Sequence, residues 1–204
     1  VNLRTLSIGN NQFTGPLPLL ASLTKLQYFF ANTNSFSGSI PSLVGPVALV
    51  YFEADQNQLT GSIPDLSAQP NLLAFTAGSN HLTGALPDLS SSNSLQFFIV
   101  SNNDLTGSIP ALTSLTELVY FQVDQNHLSG SVPSINGLVH LNAFKVGYNQ
   151  LTGPAPATPS PSSLVIGYSQ PYPNYLTPSV DAGWDIDSGV FPVYRAVALC
   201  FQQG

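Results

Sequence analysis

Two carboxylates with the spacing of an acid–base pair stand close together in the chain. Glu53 and Asp55 are two residues apart in a predicted strand, so their side chains leave the same face about 7 Å apart. That separation lies in the range of the general acid and general base of an inverting glycoside hydrolase. On an open sheet, however, we expect nothing to raise the pKa of one carboxyl group or to exclude water. Asp124, roughly 14 Å away by strand spacing, is too far to assist, and the pair predicts no enzyme activity.

Other residue types that perform chemistry are scattered along the chain. His81 and His127 occupy equivalent positions roughly 10 Å apart by strand spacing, too far to share a zinc ion, and His140 is isolated. The lone cysteine cannot form a disulfide within the chain, and the acids near it are expected to be solvated. These residues are Cys200, Asp181, Asp185 and Asp187. The sequence therefore predicts no catalytic residue, no metal site and no cofactor.

A repeat of 23 residues positions these groups. Each unit has a leucine eight residues before an asparagine, a glycine four residues after it and a proline seven residues after it. Five residues before the asparagine stands Leu6 in the first unit and phenylalanine in the other six. The seven asparagines are Asn11, Asn34, Asn57, Asn80, Asn103, Asn126 and Asn149. This regularity predicts a solenoid of stacked coils.

Each repeated position has a physical role. Phe121 and Val123 should point to one face of a short strand, with Tyr120 and Gln122 on the other. Stacked coils would join these apolar faces into a core, in which the phenylalanine rings form a column roughly 5 Å apart. The asparagine column should donate to and accept from backbone groups of adjoining turns. The apolar column excludes low-complexity disorder, whereas an unrelated parallel β-helix stays open as an alternative.

Composition narrows the range of partners. Hydrophobic residues make up 43% of the 204 residues, charged residues only 7%, and the net charge is −6. Nucleic acid and anionic lipid both require a basic face, so neither is an expected partner. The chain lacks an apolar run of roughly 20 residues, which predicts no membrane insertion. Because it also contains no Met, we expect a processed product or an excised fragment.

The repeat resembles that of a known family. Residues 95–110 read LQFFIVSNNDLTGSIP, residues 57–64 read NQLTGSIP and residues 126–133 read NHLSGSVP. These segments are similar to the plant-specific class of leucine-rich repeats, LxxLxxLxLxxNxLTGxIPxx, and the likeness extends from Leu3 to about Ser163. It implies an α/β-type repeat solenoid rich in β-structure, a right-handed horseshoe with a parallel sheet on its concave side. The LTGxIP segments would form a second, smaller sheet.

The loss of the repeat after Pro156 predicts a domain organisation, because a solenoid needs a cap over its last coil. Residues 1–163 would form the solenoid of seven repeats, and residues 164–204 a cap in which Trp184, Phe191 and Tyr194 pack on the last coil. The unit is 23 residues where the class usually has 24, and the paired-cysteine caps of plant extracellular members are missing. The tail resembles closing segments of secreted bacterial repeat proteins of plant type, although Tyr172 replaces a cysteine common there. We expect an extracellular or cell-surface protein.

The outward positions of the concave strands lie six, four and two residues before each asparagine. Aromatic side chains cluster there beside a few acids, as at recognition hot spots. The alternative is that β-propensity alone places aromatics on a sheet surface. The predicted ligand-binding residues are Tyr28, Phe30, Tyr51, Glu53, Asp55, Thr76, Phe97, Ile99, Tyr120, Gln122, Asp124 and the neighbouring Tyr148.

The fourth repeat should form a shallow notch in this face. It presents only Ala74, Thr76 and Gly78, with Tyr51 on one side and Phe97 on the other. We expect a ligand side chain or a sugar ring to lodge there.

Two binding functions fit the face. The aromatic patch with its acids favours a basic or neutral protein partner. Binding of a neutral carbohydrate is the alternative, because aromatic faces stack on sugars. Columns of Thr and Ser in the LTG segments resemble flat ice-binding ladders but are better explained by the turn itself. The sequence thus predicts recognition rather than catalysis.

Overall fold

The computed structural model of the protein describes residues 2–154 and 156–157, together with the backbone of two later strands. Short strands follow one another along these residues. They are β1 (Thr5–Ser7), β2 (Thr14–Pro16), β3 (Tyr28–Phe30), β4 (Ser35–Ser39), β5 (Tyr51–Glu53), β6 (Gln58–Gly61), β7 (Ala74–Thr76), β8 (His81–Ala85), β9 (Phe97–Ile99), β10 (Asp104–Gly107), β11 (Tyr120–Gln122), β12 (His127–Ser131), β13 (Ala143–Lys145), β14 (Gln150–Pro154), β15 (Val165–Gly167) and β16 (Tyr175–Thr177).

The strands alternate between two parallel sheets. The odd-numbered strands, in chain order, form one sheet, called the front sheet below, and the even-numbered strands form the second sheet. Tyr28 pairs with Tyr51 and Phe29 with Phe52, which is a step of one 23-residue unit. Each repeat is therefore one coil of a parallel-strand solenoid, and the predicted architecture is confirmed. The LTG segments form the second sheet, but the expectation that it is the smaller one was wrong, since it has as many described strands as the front sheet.

The core of the solenoid contains a column of stacked phenylalanine rings. Neighbouring ring centroids are 5.0–5.9 Å apart and their planes deviate by only 8–20°. None of these side chains has exposed surface. They are Phe29, Phe52, Phe75, Phe98, Phe121 and Phe144. The spacing matches the separation of hydrogen-bonded strands, which confirms the predicted column and its cause.

The asparagine column connects one coil to the next. In the fifth unit, Asn103 Oδ1 accepts from Leu82 N at 2.9 Å, while Nδ2 donates to Ala77 O at 3.0 Å and Val100 O at 3.1 Å. A longer bond runs to Ser101 O at 3.3 Å. Asn34, Asn57, Asn80 and Asn126 repeat this pattern. Each side chain thus satisfies backbone groups of its own coil and of the preceding coil, as predicted.

One residue just before each asparagine has a left-handed backbone that the sequence analysis missed. Its φ lies between 51° and 56° in all seven units. These residues are Asn10, Thr33, Gln56, Ser79, Asn102, Gln125 and Tyr148. Because their types vary and glycine is absent, no residue type marked the position. The repeated asparagine bonds hold the chain in a conformation that a residue with a Cβ rarely adopts alone.

The segments that return from the second sheet to the front sheet are built from turns. Leu23 N donates to Leu20 O at 2.9 Å and Leu26 N to Leu23 O at 2.9 Å, and later coils repeat these bonds. Residues 2–154 contain no helix. Leucines on these segments, such as Leu43 and Leu66, have no exposed surface and close the core on that side.

Two strands lie inside the segment that the sequence predicted to be a cap. β15 pairs with β13, and β16 pairs with β14, so both sheets continue beyond the seventh repeat. Phe144 pairs with Ile166, a step one residue shorter than the repeat. The other predicted cap residues lie outside the described residues. These are Trp184, Phe191, Tyr194, Cys200, Asp181, Asp185 and Asp187.

Replacing an interior asparagine should destabilise the solenoid strongly. Asn103→Ala leaves the buried Leu82 N without its acceptor and removes three donated bonds. We expect the free energy of unfolding to fall by about 3 kcal/mol in urea denaturation. In the matched Asn11→Ala, the lost side chain is exposed and bonds only Ile8 O and Gly9 O, so the loss should stay below about 1 kcal/mol. If both substitutions lowered the free energy of unfolding equally, the hydrogen bonds of the asparagine column between coils would not be the source of the stability.

The glycine that follows the Thr or Ser of each LTG-type segment should be replaceable only at a conformational cost. Gly130 has φ 80°, and a Cβ added there would lie 3.6 Å from the Ser108 Cβ, an ordinary contact. Gly130→Ala should therefore lower the free energy of unfolding by about 1 kcal/mol through backbone strain alone. Ser131→Ala, at the exposed neighbouring position, should change it by less than about 0.5 kcal/mol. Thermal unfolding of both variants checks this difference.

Candidate ligand-binding face

Three-residue strands determine which side chains the front sheet presents. In β5 the central Phe52 is buried in the core, while Tyr51 and Glu53 point outward on either side of it. The in-register pairing then brings equivalent residues of successive coils into rows across the sheet. The first row contains Tyr28, Tyr51, Ala74, Phe97 and Tyr120, and the second row contains Phe30, Glu53, Thr76, Ile99 and Gln122.

The aromatic side chains of the first row form two stacked pairs. The rings of Tyr28 and Tyr51 lie 5.8 Å apart with an interplanar angle of 22°, and those of Phe97 and Tyr120 lie 5.4 Å apart at 14°. Phe30 of the second row also stacks with Tyr28, at 6.4 Å. All five side chains are half-buried. Stacking between coils therefore preorganises the rings, so little rotamer freedom is left to lose on binding.

The notch predicted at the fourth repeat is closed at its floor, and this expectation was wrong. Ala74 has no exposed surface, Thr76 is 7% exposed and Gly78 is buried. Ala74 pairs in register with Tyr51 on one side and Phe97 on the other. One strand spacing is short compared with the size of an aromatic side chain, so the larger neighbours cover the methyl group. A ligand would meet the aromatic rings and not the strand beneath.

Asp55 belongs to a third row, formed by the residues two before each asparagine, and is held by the neighbouring coil. Its Oδ1 accepts a hydrogen bond from Gly78 N at 2.8 Å, and Oδ2 accepts one from Thr76 Oγ1. Burial raises the pKa of Asp55 above its ordinary value, and these hydrogen bonds oppose the rise. The predicted site residues Asp55 and Thr76 are therefore brought together, with Asp55 positioning the floor of the face.

Glu53 is the unusual carboxyl group of the face. Burial, and secondarily the charge of Asp55, raise the pKa of Glu53 from 4.5 to about 7. Its Oε1 is shielded from solvent and has no hydrogen-bond partner among the described residues. The expectation that nothing on this sheet raises a carboxyl pKa was thus wrong. The flanking aromatic rings and the close coil packing desolvate the group.

Gln122 and Asp124 lie three coils further along the face. Gln122 is only 7% exposed, and its Nε2 has no hydrogen-bond partner in the described part of the chain. Asp124 accepts a hydrogen bond from Ser101 Oγ of the neighbouring coil at 2.5 Å. Ile99 is half-buried between Thr76 and Gln122. Along the second row, Phe30 precedes Glu53, the less polar Thr76 and Ile99 separate Glu53 from Gln122, and Lys145 follows Gln122 in register.

Tyr148 differs from the other predicted site residues. It lies beyond β13 at the left-handed position before the asparagine column, with φ 51°. Its backbone carbonyl accepts a hydrogen bond from Asn126 N at 3.1 Å, and its side chain is half-buried. It therefore belongs to the turn that borders the face.

An acid that the sequence analysis overlooked stands between the two equivalent histidines. Asp104 lies on the second sheet within 3.9 Å of His81 Nδ1 and 3.7 Å of His127 Nε2, and all three side chains are largely exposed. The intervening coil could have revealed it, since Asp104 occupies the same repeat position as both histidines. Among the described residues no group of His, Cys, Asp and Glu is arranged to hold a metal ion. Nor do they contain a helix long and apolar enough to cross a membrane.

The free energy of unfolding should depend on pH through Glu53. In the unfolded chain this carboxyl ionises near 4.5, whereas the folded protein keeps its proton up to about pH 7. Because the folded state holds more protons in that interval, stability should fall as the pH rises from 4.5 to about 7. Urea denaturation across the interval should show a smaller fall for Glu53→Gln. The exposed Glu117→Gln should leave the wild-type slope unchanged.

Comparison with known proteins places this geometry in a family. The profile of the Leucine Rich Repeat family matches residues 2–23. The plant peptide hormone receptor RGFR1 in complex with RGF2 has a similar structure, with 31% identity, a TM-score of 0.73, and coverage of 75% of this chain and 26% of that chain. A sequence comparison with curated proteins finds no match.

Two further solved structures are similar. The LRR ectodomain of the receptor kinase GASSHO1/SCHENGEN3 from Arabidopsis thaliana, in complex with CASPARIAN STRIP INTEGRITY FACTOR 2, has 32% identity and a TM-score of 0.76. The match covers 86% of this chain and 22% of that chain. A chain of the BIR3–SERK2 complex from Arabidopsis thaliana has 30% identity and a TM-score of 0.55, with coverage of 62% of this chain and 70% of that chain.

The present chain spans about a quarter of the length of the first two receptors. With its asparagine ladder, its phenylalanine column and its two parallel sheets, the chain belongs to the leucine-rich-repeat family.

Proposed function

We propose that this protein is a non-catalytic recognition module that binds a peptide or protein ligand through the front sheet. The observation that carries the proposal is the aromatic surface of the first row, where Tyr28 stacks on Tyr51 and Phe97 stacks on Tyr120. Half-buried rings of this kind bury large areas at low cost in side-chain entropy. The full proposed site is Tyr28, Phe30, Tyr51, Glu53, Asp55, Thr76, Phe97, Ile99, Tyr120, Gln122, Asp124 and the bordering Tyr148.

The polar groups of the face support selective binding. Acids outnumber bases along the outward rows of the described repeats. The acids are Glu53, Asp55 and Asp124, and the base is Lys145. A negative face attracts basic or neutral partners and repels acidic ones. Asp55 accepts two hydrogen bonds from the adjacent coil. It is therefore suited to positioning the face and not to acid–base chemistry with Glu53, which is why we propose recognition rather than catalysis.

The structural neighbours support a peptide or protein as the ligand. RGFR1 was solved with RGF2, and the receptor kinase HAESA with the peptide hormone IDA and the co-receptor SERK1. A neutral carbohydrate, which the aromatic rings alone would also fit, draws no support from these neighbours. The solved structure of GASSHO1/SCHENGEN3 is the LRR ectodomain of a plant membrane receptor kinase, and we propose an extracellular or cell-surface location for this chain as well.

Selection from a random peptide library displayed on phage tests the proposal. Peptides enriched by the wild-type chain should bind Tyr51→Ala/Phe97→Ala at least about tenfold more weakly in isothermal titration calorimetry, because each stacked pair loses one ring. Circular dichroism should confirm that the variant remains folded. On a glycan array, the wild-type chain and the double variant should give the same signals, because we expect no glycan to bind through Tyr51 and Phe97.

The control removes apolar side chains of comparable exposure from another surface. Leu19 and Val139 are 83% and 58% exposed on the returning segments. Leu19→Ala/Val139→Ala should keep the wild-type affinity for the selected peptides. If the selected peptides bound both double variants equally well, the ligand would lie elsewhere and the proposal would be refuted. Glycan signals that depend on Tyr51 and Phe97 would show that the ligand is a carbohydrate and not a peptide.

A further inference from the structure

The returning segment of the sixth coil contains a dipeptide that the other coils lack. Asn136 is followed by Gly137, and Asn-Gly occurs nowhere else in the 204 residues. The equivalent pairs of the five preceding coils are Ala21–Ser22, Val44–Gly45, Ser67–Ala68, Ser90–Ser91 and Thr113–Ser114. In Asn-Gly the main-chain nitrogen of the glycine can attack the carboxamide carbon of the asparagine with no side chain beside it to hinder the approach. The dipeptide is thus the least hindered place in the chain for this reaction.

The structure places this dipeptide at the exposed end of a turn. Leu138 N donates to Ile135 O at 3.2 Å and closes the turn around Asn136 and Gly137. Both residues of the dipeptide are exposed, whereas Ile135 and Leu138 are buried in the core. Gly137 has φ 88°, a backbone conformation that glycine adopts without a Cβ clash. Water and hydroxide ions can therefore reach the peptide bond between the two exposed residues.

Neither of the two groups that would react is engaged in a hydrogen bond. Asn136 N donates to Ser134 Oγ at 3.2 Å. The side-chain amide of Asn136, however, has no partner in the described part of the chain, and the same holds for Gly137 N. A Cβ added at Gly137 would have no atom within 4 Å apart from those of adjacent residues, so the space around it is open. The peptide group can rotate there and bring Gly137 N against Asn136 Cγ without losing a hydrogen bond of either group.

We propose that Asn136 is a site of spontaneous deamidation, at which the folded protein acquires isoaspartate or aspartate. Gly137 N loses its proton and bonds to Asn136 Cγ, the bond from Cγ to Nδ2 breaks, and Nδ2 takes up a proton and leaves as ammonia. Water then opens the resulting succinimide ring. Cleavage at Cγ gives aspartate, whereas cleavage at the main-chain carbonyl carbon gives isoaspartate, in which the main chain passes through the side chain. The inference goes beyond the proposed function, because the turn lies on a returning segment and not on the front sheet.

The fold and the sequence together leave other asparagines less reactive. In the asparagine column, Asn103 is buried and its side-chain amide donates three hydrogen bonds, which an attack on Cγ would first have to break. Asn93 is exposed as Asn136 is, but Ser94 follows it, and the Cβ of that serine hinders the main-chain nitrogen. Deamidation should therefore be concentrated at Asn136, with Asn93 as the internal reference.

Isoaspartate at this position should loosen the sixth coil. It adds one carbon atom to the main chain between Ile135 and Leu138, the two residues whose hydrogen bond closes the turn. Their side chains are 0% and 1% exposed, so a turn of different length disturbs the core on the returning side. The modification therefore lowers the stability of the coil in addition to adding a negative charge.

Peptide mapping by mass spectrometry tests the site. The folded wild-type chain, stored in neutral buffer, should convert at Asn136 at least about tenfold faster than at Asn93, and the rate should rise with hydroxide concentration. Gly137→Ala should slow the conversion at least about tenfold, because the added Cβ restricts the rotation of the peptide group. Circular dichroism should show that this variant is folded. Equal rates at Asn136 and Asn93, or an unchanged rate in Gly137→Ala, would overturn the inference.

The effect on stability is tested with a second variant. After storage, an enzyme that transfers a methyl group from S-adenosylmethionine to isoaspartate should label the wild-type chain. The midpoint of thermal unfolding of the stored chain should lie about 3 °C below that of fresh protein, since the hydrogen bond that closes the turn is lost. Asn136→Gln keeps a carboxamide but would have to form a larger ring, so it should show neither change. Equal labelling of the two stored chains would overturn the site, and labelling without a lower midpoint would overturn the loosening of the coil.

Discussion

The hydrogen bonds of the asparagine column are the interaction on which the rest of the solenoid depends. A coil that turns from one sheet to the other leaves backbone groups facing the interior, where water cannot satisfy them. Asn57, for example, accepts from Phe36 N at 3.0 Å and donates to Ala31 O at 3.0 Å, both in the preceding coil. The same bonds fix the register between neighbouring coils. That register allows the phenylalanine rings to stack and allows the residue before each asparagine to keep its left-handed backbone.

Fixed register has a direct consequence for the outer surface. Side chains at one repeat position lie one strand spacing from their equivalents in the neighbouring coils. The exposed surface of each outward side chain therefore depends on the size of the two side chains beside it. Tyr28 and Tyr51 stack because both coils carry an aromatic residue, whereas Ala74 is covered because its neighbours are large. The face therefore consists of two aromatic pairs that flank a closed floor. Such a surface is preorganised and shallow, which suits an extended ligand better than an inserted ring.

The same packing changes the chemistry of Glu53. A carboxyl group on an isolated strand would remain hydrated, but here close coils and aromatic neighbours withdraw it from water and raise its pKa to about 7. The chain still folds, because the hydrophobic core and the asparagine column contribute more to the free energy of folding than one desolvated carboxyl group costs. A polar group that is retained despite its cost to folding is a common feature of binding sites. Glu53 is thus a cost to the stability of the folded chain once the pH exceeds its ordinary pKa of 4.5.

The sequence by itself determined the 23-residue coil, the phenylalanine and asparagine columns and the identity of the outward rows, and its resemblance to leucine-rich repeats implied the two parallel sheets. These properties are periodic, and a period that places apolar residues on one face favours coils stacked in register. Residue type could not reveal the left-handed position, since seven positions shared a backbone conformation but little chemistry. Only the tertiary structure decided that the Ala74 notch is closed, that Glu53 is desolvated and that Gln122 Nε2 is unpaired. Those properties depend on contacts between side chains of adjacent coils. The sequence of one repeat, read alone, does not show how far the side chains of the next coil extend over it.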